Sequence, residues 1–367
     1  MTRLDAPQEG ASSPLGYRPQ IDTLRAVAVG SVMFEHYLPW VFQRLGLMDG
    51  VMVFFAISGF LITGILLKYK DEVAGQQGGV RRAFGTFYAR RALRIFPAYY
   101  VLLLILLITG RVQETFLWHA TYTTNVWTAL NGRWDMAAGH FWSLAVEEQF
   151  YLLWPLVIFS LPKRVLPWVM AAGIVLGIVF RMCALAFDWG LAIIVMPMAN
   201  FDALFGGGLL AWAHHANQGR WLAVLRKYGL WSFLAVPLLY AGFEQFNAIF
   251  STTFVALMSV YVIDQCSKGY RGWLGWLFSI PLVLYLGKIS YGLYLYHYVV
   301  RLYIDEAAFA FAGEYALYAR AVAWGLAAVG CAMTSWHLLE KPINALKGRF
   351  QLGASAANAG APIRTAN

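Results

Sequence analysis

The chain has 367 residues, of which 60% are hydrophobic and only 13% are charged. Because a soluble domain of this length carries about twice that share of charge, the composition excludes an ordinary soluble enzyme and indicates an all-α integral membrane protein. The formal net charge of +9 would favour a nucleic-acid partner in a soluble protein. Here it indicates the cytoplasmic excess of Lys and Arg that membrane proteins carry, and we predict no nucleic-acid partner.

Polar residues 1–19 open the chain and are predicted to form a cytoplasmic tail without a cleavable signal peptide. Residues 20–343 follow as one membrane domain, and residues 344–367 are predicted to be a second, disordered cytoplasmic tail. Apolar stretches of bilayer-spanning length predict a bundle of about ten transmembrane helices. Their limits are 20–42, 50–68, 94–110, 140–160, 166–187, 193–213, 229–243, 247–265, 281–303 and 318–340.

Basic residues between the spans predict the orientation of the bundle. With the N-terminus inside, the cytoplasmic segments carry about twenty Lys and Arg residues, whereas the outer segments carry only Arg44, Arg111 and Arg133. Membrane proteins concentrate basic residues on the cytoplasmic side, so both termini are predicted to be cytoplasmic (N-in, C-in). The long outer loop 111–139 is rich in Trp, Tyr, Thr and Asn and is a candidate acceptor site.

Arg25 and His36 lie eleven residues apart on the first span. At ~100° and ~1.5 Å per residue they share one helix face and stand roughly 16 Å apart along it. The orientation places Arg25 near the inner face and His36 in the outer half, at the depth of Glu147, Glu148 and His297. Ionisable residues inside a membrane indicate function, so His36 is the candidate general base and Arg25 a candidate ligand for phosphate or carboxylate. The alternatives are a structural histidine and an arginine that reaches the interface.

A basic cluster of Arg90, Arg91 and Arg94 precedes the third span. It either sets the topology or binds a polyanion at the inner mouth of the bundle. On the second span, the small residues between Phe54 and Thr63 predict close helix packing. Ser58 within that run has no evident adjacent base, so we do not expect a serine nucleophile.

The fourth span contains Ser143, Glu147 and Glu148 within one apolar helix. Adjacent carboxylates point in different directions, so at least one is predicted to pair with a cation or histidine on another helix. A purely structural ion pair is the alternative. Ser143 is a candidate substrate contact one turn from the two carboxylates.

Further polar candidates lie on the sixth and ninth spans. Asp202 is a lone intramembrane acid that either pairs with another helix or lines a cavity. The ninth span carries a polar and aromatic stripe in which His297 is the second candidate base, with an interfacial belt as the alternative. The stripe consists of Lys288, Ser290, Tyr291, Tyr294, Tyr296 and His297. The chain has three cysteines, Cys183, Cys266 and Cys331. Their spacing fits neither a metal site nor a disulfide framework, so we predict neither.

Together these motifs resemble the membrane-bound acyltransferase-3 family of bacterial O-acyltransferases, over about residues 17–345. One motif alone is a weak signal, but their order along the chain is specific. The resemblance rests on Tyr17–Ala26 with His36, Phe54–Thr63, Tyr88–Pro97, Trp142–Pro155, Gly287–His297 and Leu339–Pro342.

The resemblance implies a multi-pass enzyme of the bacterial cytoplasmic membrane. Such an enzyme moves an acyl group, most often acetyl from acetyl-CoA, onto a hydroxyl of a carbohydrate or lipid-linked glycan. It implies no tightly bound cofactor, since acyl-CoA is a substrate, and it implies the lipid bilayer and proteins of polysaccharide biosynthesis or export as partners. Any second step on the product is expected to need another protein.

The resemblance also implies roles for the candidate residues. The family's hallmark arginine and histidine fall on Arg25 and His36, so His36 deprotonates the acceptor hydroxyl or itself carries the acyl group. Glu147 or Glu148 orients His36 or balances its charge. The CoA phosphates are then held by Arg25 together with Arg90, Arg91 and Arg94.

Three positions depart from the family pattern: Met52 stands where an Asp is frequent, Asn200 where an Arg is frequent, and Glu35 where an apolar residue is usual. A transporter or flippase for a glycan or lipid precursor is the alternative function, because transporters also bury Arg, His and Glu. Transporters are typically built from two related halves with broken helices at mid-membrane, and the sequence shows no such internal repeat.

Overall fold

The computed structural model describes residues 18–45, 49–239 and 244–352, and within these ranges the chain is helical with no β-strand. Residues 1–17 and 353–367, which hold most of both predicted tails, lie outside the described residues. The helices are α1 (Pro19–Tyr37), α2 (Pro39–Leu45), α3 (Gly50–Glu72), α4 (Gly79–Ile108), α5 (Phe116–Ala120), α6 (Thr124–Asn131), α7 (Phe141–Ser160), α8 (Leu166–Ala186), α9 (Ala192–Val195), α10 (Phe201–His215), α11 (Gly219–Leu239), α12 (Glu244–Lys268), α13 (Gly272–Leu277), α14 (Pro281–Lys288), α15 (Ser290–Val299), α16 (Ala316–Ser335) and α17 (Lys341–Ala345).

Five helical segments are long and apolar enough to cross a membrane, counted over the part of the chain that the structure describes. They are α3, α4, α8, most of α12, and the run 311–349 that contains α16 and α17. The protein is therefore a helical membrane protein with several spanning segments, fewer by this count than the ten that the sequence predicts.

Three predicted spans are interrupted, contrary to the expectation of continuous helices. The helix α1 ends before Leu38 (φ −136°, ψ 59°), because Pro39 disfavours helical geometry at the residue before it. In the span 193–213, Met196 is extended (φ −76°, ψ 145°) ahead of Pro197 for the same reason. The span 281–303 breaks at Ile289, so α14 and α15 meet at a one-residue interruption.

Glycines bring α3 and α10 into close contact. An added Cβ at Gly59 would lie 1.9 Å from the carbonyl oxygen of Leu204, and one at Gly207 would lie 2.0 Å from that of Ala56. Neither position has room for a side chain, so the close packing predicted for this small-residue run is confirmed. While α10 packs against one side of α3, Ser58 on another side of α3 contacts Glu147 of α7.

The helix α1, which bears Arg25 and His36, has three main neighbouring helices. It packs against α3, α14 and α15, and Gly287 of α14 sits so close to the backbone of Asp22 that a Cβ would lie 1.9 Å from its carbonyl oxygen. These contacts fix the face of α1 that bears Arg25 and His36. Arg25 lines a space between α1, α3, α4, α7 and α15, and His36 contacts His297 of α15.

Candidate active site

A cavity of about 60 Å³ lies between α1, α3, α4, α7 and α15. It brings together residues that are far apart in sequence, including several of the candidates predicted above. Its polar lining consists of Arg25, Ser58, Arg91, Arg94, Ser143, Glu147, Glu148, Tyr151, Ser290, Tyr291 and Tyr294.

The three arginines of the cavity have few partners of their own. Arg25 approaches Asp22 only at 4.0 Å, and its buried Nε atom has no hydrogen-bond partner. Arg91 lies over the ring of Tyr151 at 5.3 Å. Among the described residues, neither Arg91 nor Arg94 forms a salt bridge with a carboxylate. Three partly buried cations that share a single, long ion pair create a site that favours an anion.

Glu147 accepts a hydrogen bond from Ser58 on α3. Its Oε1 atom accepts a hydrogen bond of 2.7 Å from Ser58 Oγ, and Ser58 in turn accepts one of 2.9 Å from the hydroxyl of Tyr151. The expectation that Ser58 has no adjacent base is therefore wrong, because a carboxylate on another helix reaches it. Both glutamates share the cavity with the arginines, whereas the depth argument grouped them with the histidines.

His36 and His297 meet, as their common depth in the sequence predicts. The Nδ1 atom of His36 lies 2.9 Å from the carbonyl oxygen of Val32 and 3.3 Å from Nε2 of His297. Since a carbonyl only accepts hydrogen bonds, Nδ1 of His36 carries the proton. Nδ1 of His297 lies 2.7 Å from the carbonyl oxygen of Tyr294, so His297 also carries its proton on Nδ1 and accepts from His36 through Nε2.

This pairing leaves Nε2 of His36 as the unprotonated nitrogen of a neutral ring. Over the described residues, no hydrogen bond engages that atom. The ring of His297 is fully buried, and both of its nitrogens are occupied. His36, which is half-buried, is consequently the one of the pair that can take a proton from a substrate.

A short polar path connects the histidines to the arginine cavity. Ser143 and Tyr294 line the cavity and hydrogen-bond to each other through their hydroxyls. One helical turn away from them lie His140 and His297, whose ring centroids are 5.1 Å apart. The cavity thus ends one turn from the histidine cluster.

Two candidates of the predicted set lie away from the cavity. Arg90 donates hydrogen bonds to the carbonyl oxygens of Lys347 and Phe350, at 3.3 and 3.0 Å, and so faces the C-terminal segment. That segment is helical through residue 349, although the tail from residue 344 was predicted to be disordered. Lys288 is exposed and lies over the ring of Trp336 at 5.9 Å.

Asp202 also lies elsewhere, in a buried ion pair. Its Oδ2 atom accepts hydrogen bonds from Arg181 of α8 and Thr253 of α12, each 2.8 Å long. The side chains of Arg181 and Asp202 are each 1% exposed. The sequence left two roles open for Asp202, and the structure shows the first, pairing with another helix. The ion pair and its hydrogen bonds join α8, α10 and α12.

We expect Asp202→Ala to destabilise the protein by about 3–5 kcal/mol, because it leaves the Arg181 guanidinium buried without its counter-charge. The free energy of unfolding, followed by thermal or denaturant titration in detergent, measures this loss. Glu72→Ala is the matched control, because its salt bridge with Lys68 is largely exposed and contributes at most about 1 kcal/mol. An unchanged stability together with weaker substrate binding would instead assign Asp202 to a substrate site.

Sequence reasoning gave Ser58, Tyr151 and His140 no role in the site, and it named Tyr294 only within the stripe of the ninth span. Ser58 and Tyr151 hold Glu147, Tyr294 connects the cavity to the histidines, and His140 packs against His297. Only His140 carried a usable signal, because a histidine at the start of an apolar span is uncommon. Within the described ranges, no three His, Cys, Asp or Glu side chains are grouped to hold a metal ion.

The sequence matches the profile of the acyltransferase domain over residues 18–338. The peptidoglycan O-acetyltransferase OatA of Listeria monocytogenes is 30% identical over 320 residues, which are 77% of this chain and 49% of that protein. A Staphylococcus aureus protein provisionally named an O-acetyltransferase is 28% identical over 77% of this chain and 50% of its own length. A Bacillus subtilis protein provisionally named a peptidoglycan O-acetyltransferase is 28% identical over 77% of this chain and 48% of its own.

The chain therefore spans about half the length of the curated relatives it matches. No solved structure matches it.

Proposed function

We propose, from the premise that this chain belongs to the acyltransferase-3 family, that it is an O-acyltransferase that moves acetyl from acetyl-CoA to a hydroxyl of a glycan. The observation that carries the proposal is the arginine-lined cavity that ends one helical turn from His297, the partner of His36, whose Nε2 atom is free. The names of the relatives favour a cell-wall or cell-surface glycan as acceptor. The alternative of a transporter or flippase is not favoured by the family.

The arginine cavity suits the donor. Coenzyme A carries several phosphate charges at one end and its thioester at the other, and arginine is the preferred ligand for phosphate oxygens. The cavity, at about 60 Å³, is far smaller than the roughly 300–1,000 Å³ of a site that encloses a whole ligand. We therefore place the thioester end within it and the phosphates at its inner mouth, against Arg25, Arg91 and Arg94.

His36 performs the proton transfers in the proposed reaction. Its Nε2 atom takes the proton of the acceptor hydroxyl while the oxygen attacks the thioester carbonyl and the carbon–sulfur bond breaks. The protonated His36 then returns the proton to the departing CoA thiolate, so charge and atoms balance. An acyl group carried by the protein between donor and acceptor is the second route open to the same residues.

His297 acts as a positioning residue in this mechanism, because it accepts the Nδ1–H of His36 and thereby keeps Nε2 free. We expect His297→Leu to lower kcat by about 10- to 100-fold with an unchanged KM for acetyl-CoA. His297→Gln places an amide oxygen near the lost Nε2 atom and is expected to recover part of the rate. Equal losses in both variants, or a loss confined to KM, would contradict the positioning role.

We also propose that both termini are cytoplasmic, that the bundle has about ten spans and that the protein resides in the bacterial cytoplasmic membrane. The support is the bias of about twenty basic residues against three in the sequence. A cysteine introduced at Met136, which is 80% exposed, should react with a membrane-impermeant maleimide in intact cells. Reaction only after permeabilisation would reverse the orientation.

The reaction itself is tested with the protein in lipid nanodiscs and acetyl-CoA labelled in the acetyl group. We expect the protein to consume the thioester and to transfer label to an added glycan fraction or onto itself. Stable acetyl-CoA in the presence of peptidoglycan fragments and other glycan acceptors would contradict the proposal. Partner proteins of polysaccharide biosynthesis or export, added to the same assay, are expected to raise turnover.

A further inference from the structure

A second cavity lies at the other end of the histidine cluster and has a volume of about 390 Å³. This volume falls within the roughly 300–1,000 Å³ of ligand sites. It is formed by the 110–115 and 133–137 segments together with Trp127 and Leu302. Both segments belong to the loop 111–139, which the basic-residue bias places outside the membrane.

The order of residues along two chain segments relates this cavity to the active site. From Ser143, in the arginine cavity, the chain passes back through His140 to Ala137, which lines the second cavity. From Tyr294 on α15, it passes forward through His297 to Leu302, which lines the second cavity as well. The histidine cluster therefore lies between the two cavities on both segments.

One wall of the cavity is fixed by a network around Asp135. Its Oδ2 atom accepts hydrogen bonds from Thr115 and His119, at 2.7 and 3.3 Å, and its Oδ1 atom accepts from the amides of Ala137 and Ala138, at 2.8 Å each. Burial alone would raise the pKa of Asp135, but these hydrogen bonds outweigh burial and lower the pKa to about 2. The carboxylate is thus charged and fully occupied, so it shapes the wall and leaves ligand contacts to its neighbours.

The groups that remain free are of three kinds. Trp134 is 38% exposed and offers an open aromatic ring, whereas the guanidinium of Arg133 covers one face of Trp127 at 5.4 Å. Arg133 offers hydrogen-bond donors and Glu114 offers acceptors, whereas Arg111 already donates a hydrogen bond of 3.5 Å to the carbonyl oxygen of Leu302 and lies over the ring of Tyr303.

This combination matches the surface of a saccharide. A sugar ring has an apolar C–H face that packs on an aromatic ring, and hydroxyls at its rim that need both donors and acceptors. A site for a simple anion would not include Glu114, and a site for an apolar ligand would not include two arginines. The charged Asp135 and Glu114 balance the two arginines, Arg111 and Arg133, so the lining carries no net charge and suits a polar ligand rather than an ion.

We propose that this outer cavity binds the saccharide of the acceptor through the exposed ring of Trp134 and the hydrogen-bonding groups of Arg133 and Glu114. The proposal rests on the proposed function, since it supplies the second substrate of the same reaction. The acceptor then approaches His36 from the outer cavity while the thioester approaches from the arginine cavity, so the two substrates do not compete for one entrance.

The test is saccharide binding in nanodiscs without donor, measured by isothermal titration. The probes are a tetrasaccharide of alternating N-acetylglucosamine and N-acetylmuramic acid, which carries carboxylates, and chitotetraose, which carries none. We expect both probes to bind, and Trp134→Ala and Arg133→Gln each to weaken their binding by about tenfold or more.

Trp189→Ala and Arg44→Gln are the matched controls, because both residues are exposed and lie outside this cavity. Acetyl-CoA binding is measured on the same samples and is expected to be unchanged in every variant. Wild-type protein that binds neither probe, or variants that bind as tightly as wild type, would overturn the outer site. If the protein binds no saccharide but still consumes acetyl-CoA, the outer site is wrong and the proposed acyltransferase function still stands.

Discussion

His36→Ala is expected to lower the rate of acyl transfer by about 10²- to 10⁴-fold, the contribution of a well-placed general base. The substitution removes a nitrogen that is unprotonated, has no hydrogen bond among the described residues and belongs to a half-buried ring, whereas the likewise unengaged Nδ1 atom of His140 is fully buried. The KM for acetyl-CoA should change little, because the phosphates are assigned to arginines on the other side of the cavity. Loss of labelled thioester in nanodiscs, followed over time at saturating acetyl-CoA, measures the rate.

His337→Ala is the matched control for this experiment. His337 is exposed and contacts the hydroxyl of Tyr285 through its Nε2 atom, outside the cavity. Added imidazole should restore part of the activity of His36→Ala if the ring acts as a base. Turnover close to wild type in His36→Ala, with the protein folded in the membrane, would remove His36 from the mechanism.

Arg91→Gln is expected to raise the KM for acetyl-CoA by roughly 10- to 100-fold, since a charge-assisted hydrogen bond contributes about 1.5–3 kcal/mol. Its neighbour Arg90 gives a control that differs by one position in sequence. Because Arg90 faces the C-terminal segment, Arg90→Gln should leave the KM within about threefold of wild type.

A donor without phosphates separates binding from general damage to the site. S-acetyl-pantetheine lacks every CoA phosphate. With this donor, Arg91→Gln and wild type should have the same activity. An equal loss with both donors would show that Arg91 does not bind phosphate. A larger effect of Arg90→Gln than of Arg91→Gln would reverse the assignment that the structure favours.

The fold class and the central residues could be read from the sequence for physical reasons that act locally. A bilayer requires long apolar helices, and a charged side chain within one is costly enough to mark a function. Eleven residues of regular helix suffice to place Arg25 and His36 on one face, and both lie on the continuous helix α1. The arginine and glutamate candidates could be named in the same way, without knowledge of their partners.

Which candidates share a site depended on packing between helices. Arg90 and Arg91 are adjacent in sequence, yet they point to different surroundings because α4 packs between the cavity and the C-terminal segment. Asp202 became a structural ion pair only because α8 and α12 bring Arg181 and Thr253 to it. The sequence leaves the roles of Arg90, Arg91 and Asp202 open, because a helical pattern predicts which face a residue occupies. It does not predict which residues lie opposite that face.

The sequence by itself determined that this protein is a helical membrane protein with a basic side and a small set of buried ionisable groups. Tertiary structure alone decided that Ser58 holds Glu147, that His297 accepts the Nδ1 proton of His36, and that a second cavity lies beyond the histidines. The physical reason is that hydrogen bonds between helices join residues up to 261 positions apart. Such contacts depend on the relative placement of whole helices, which the local periodicity of a sequence does not specify.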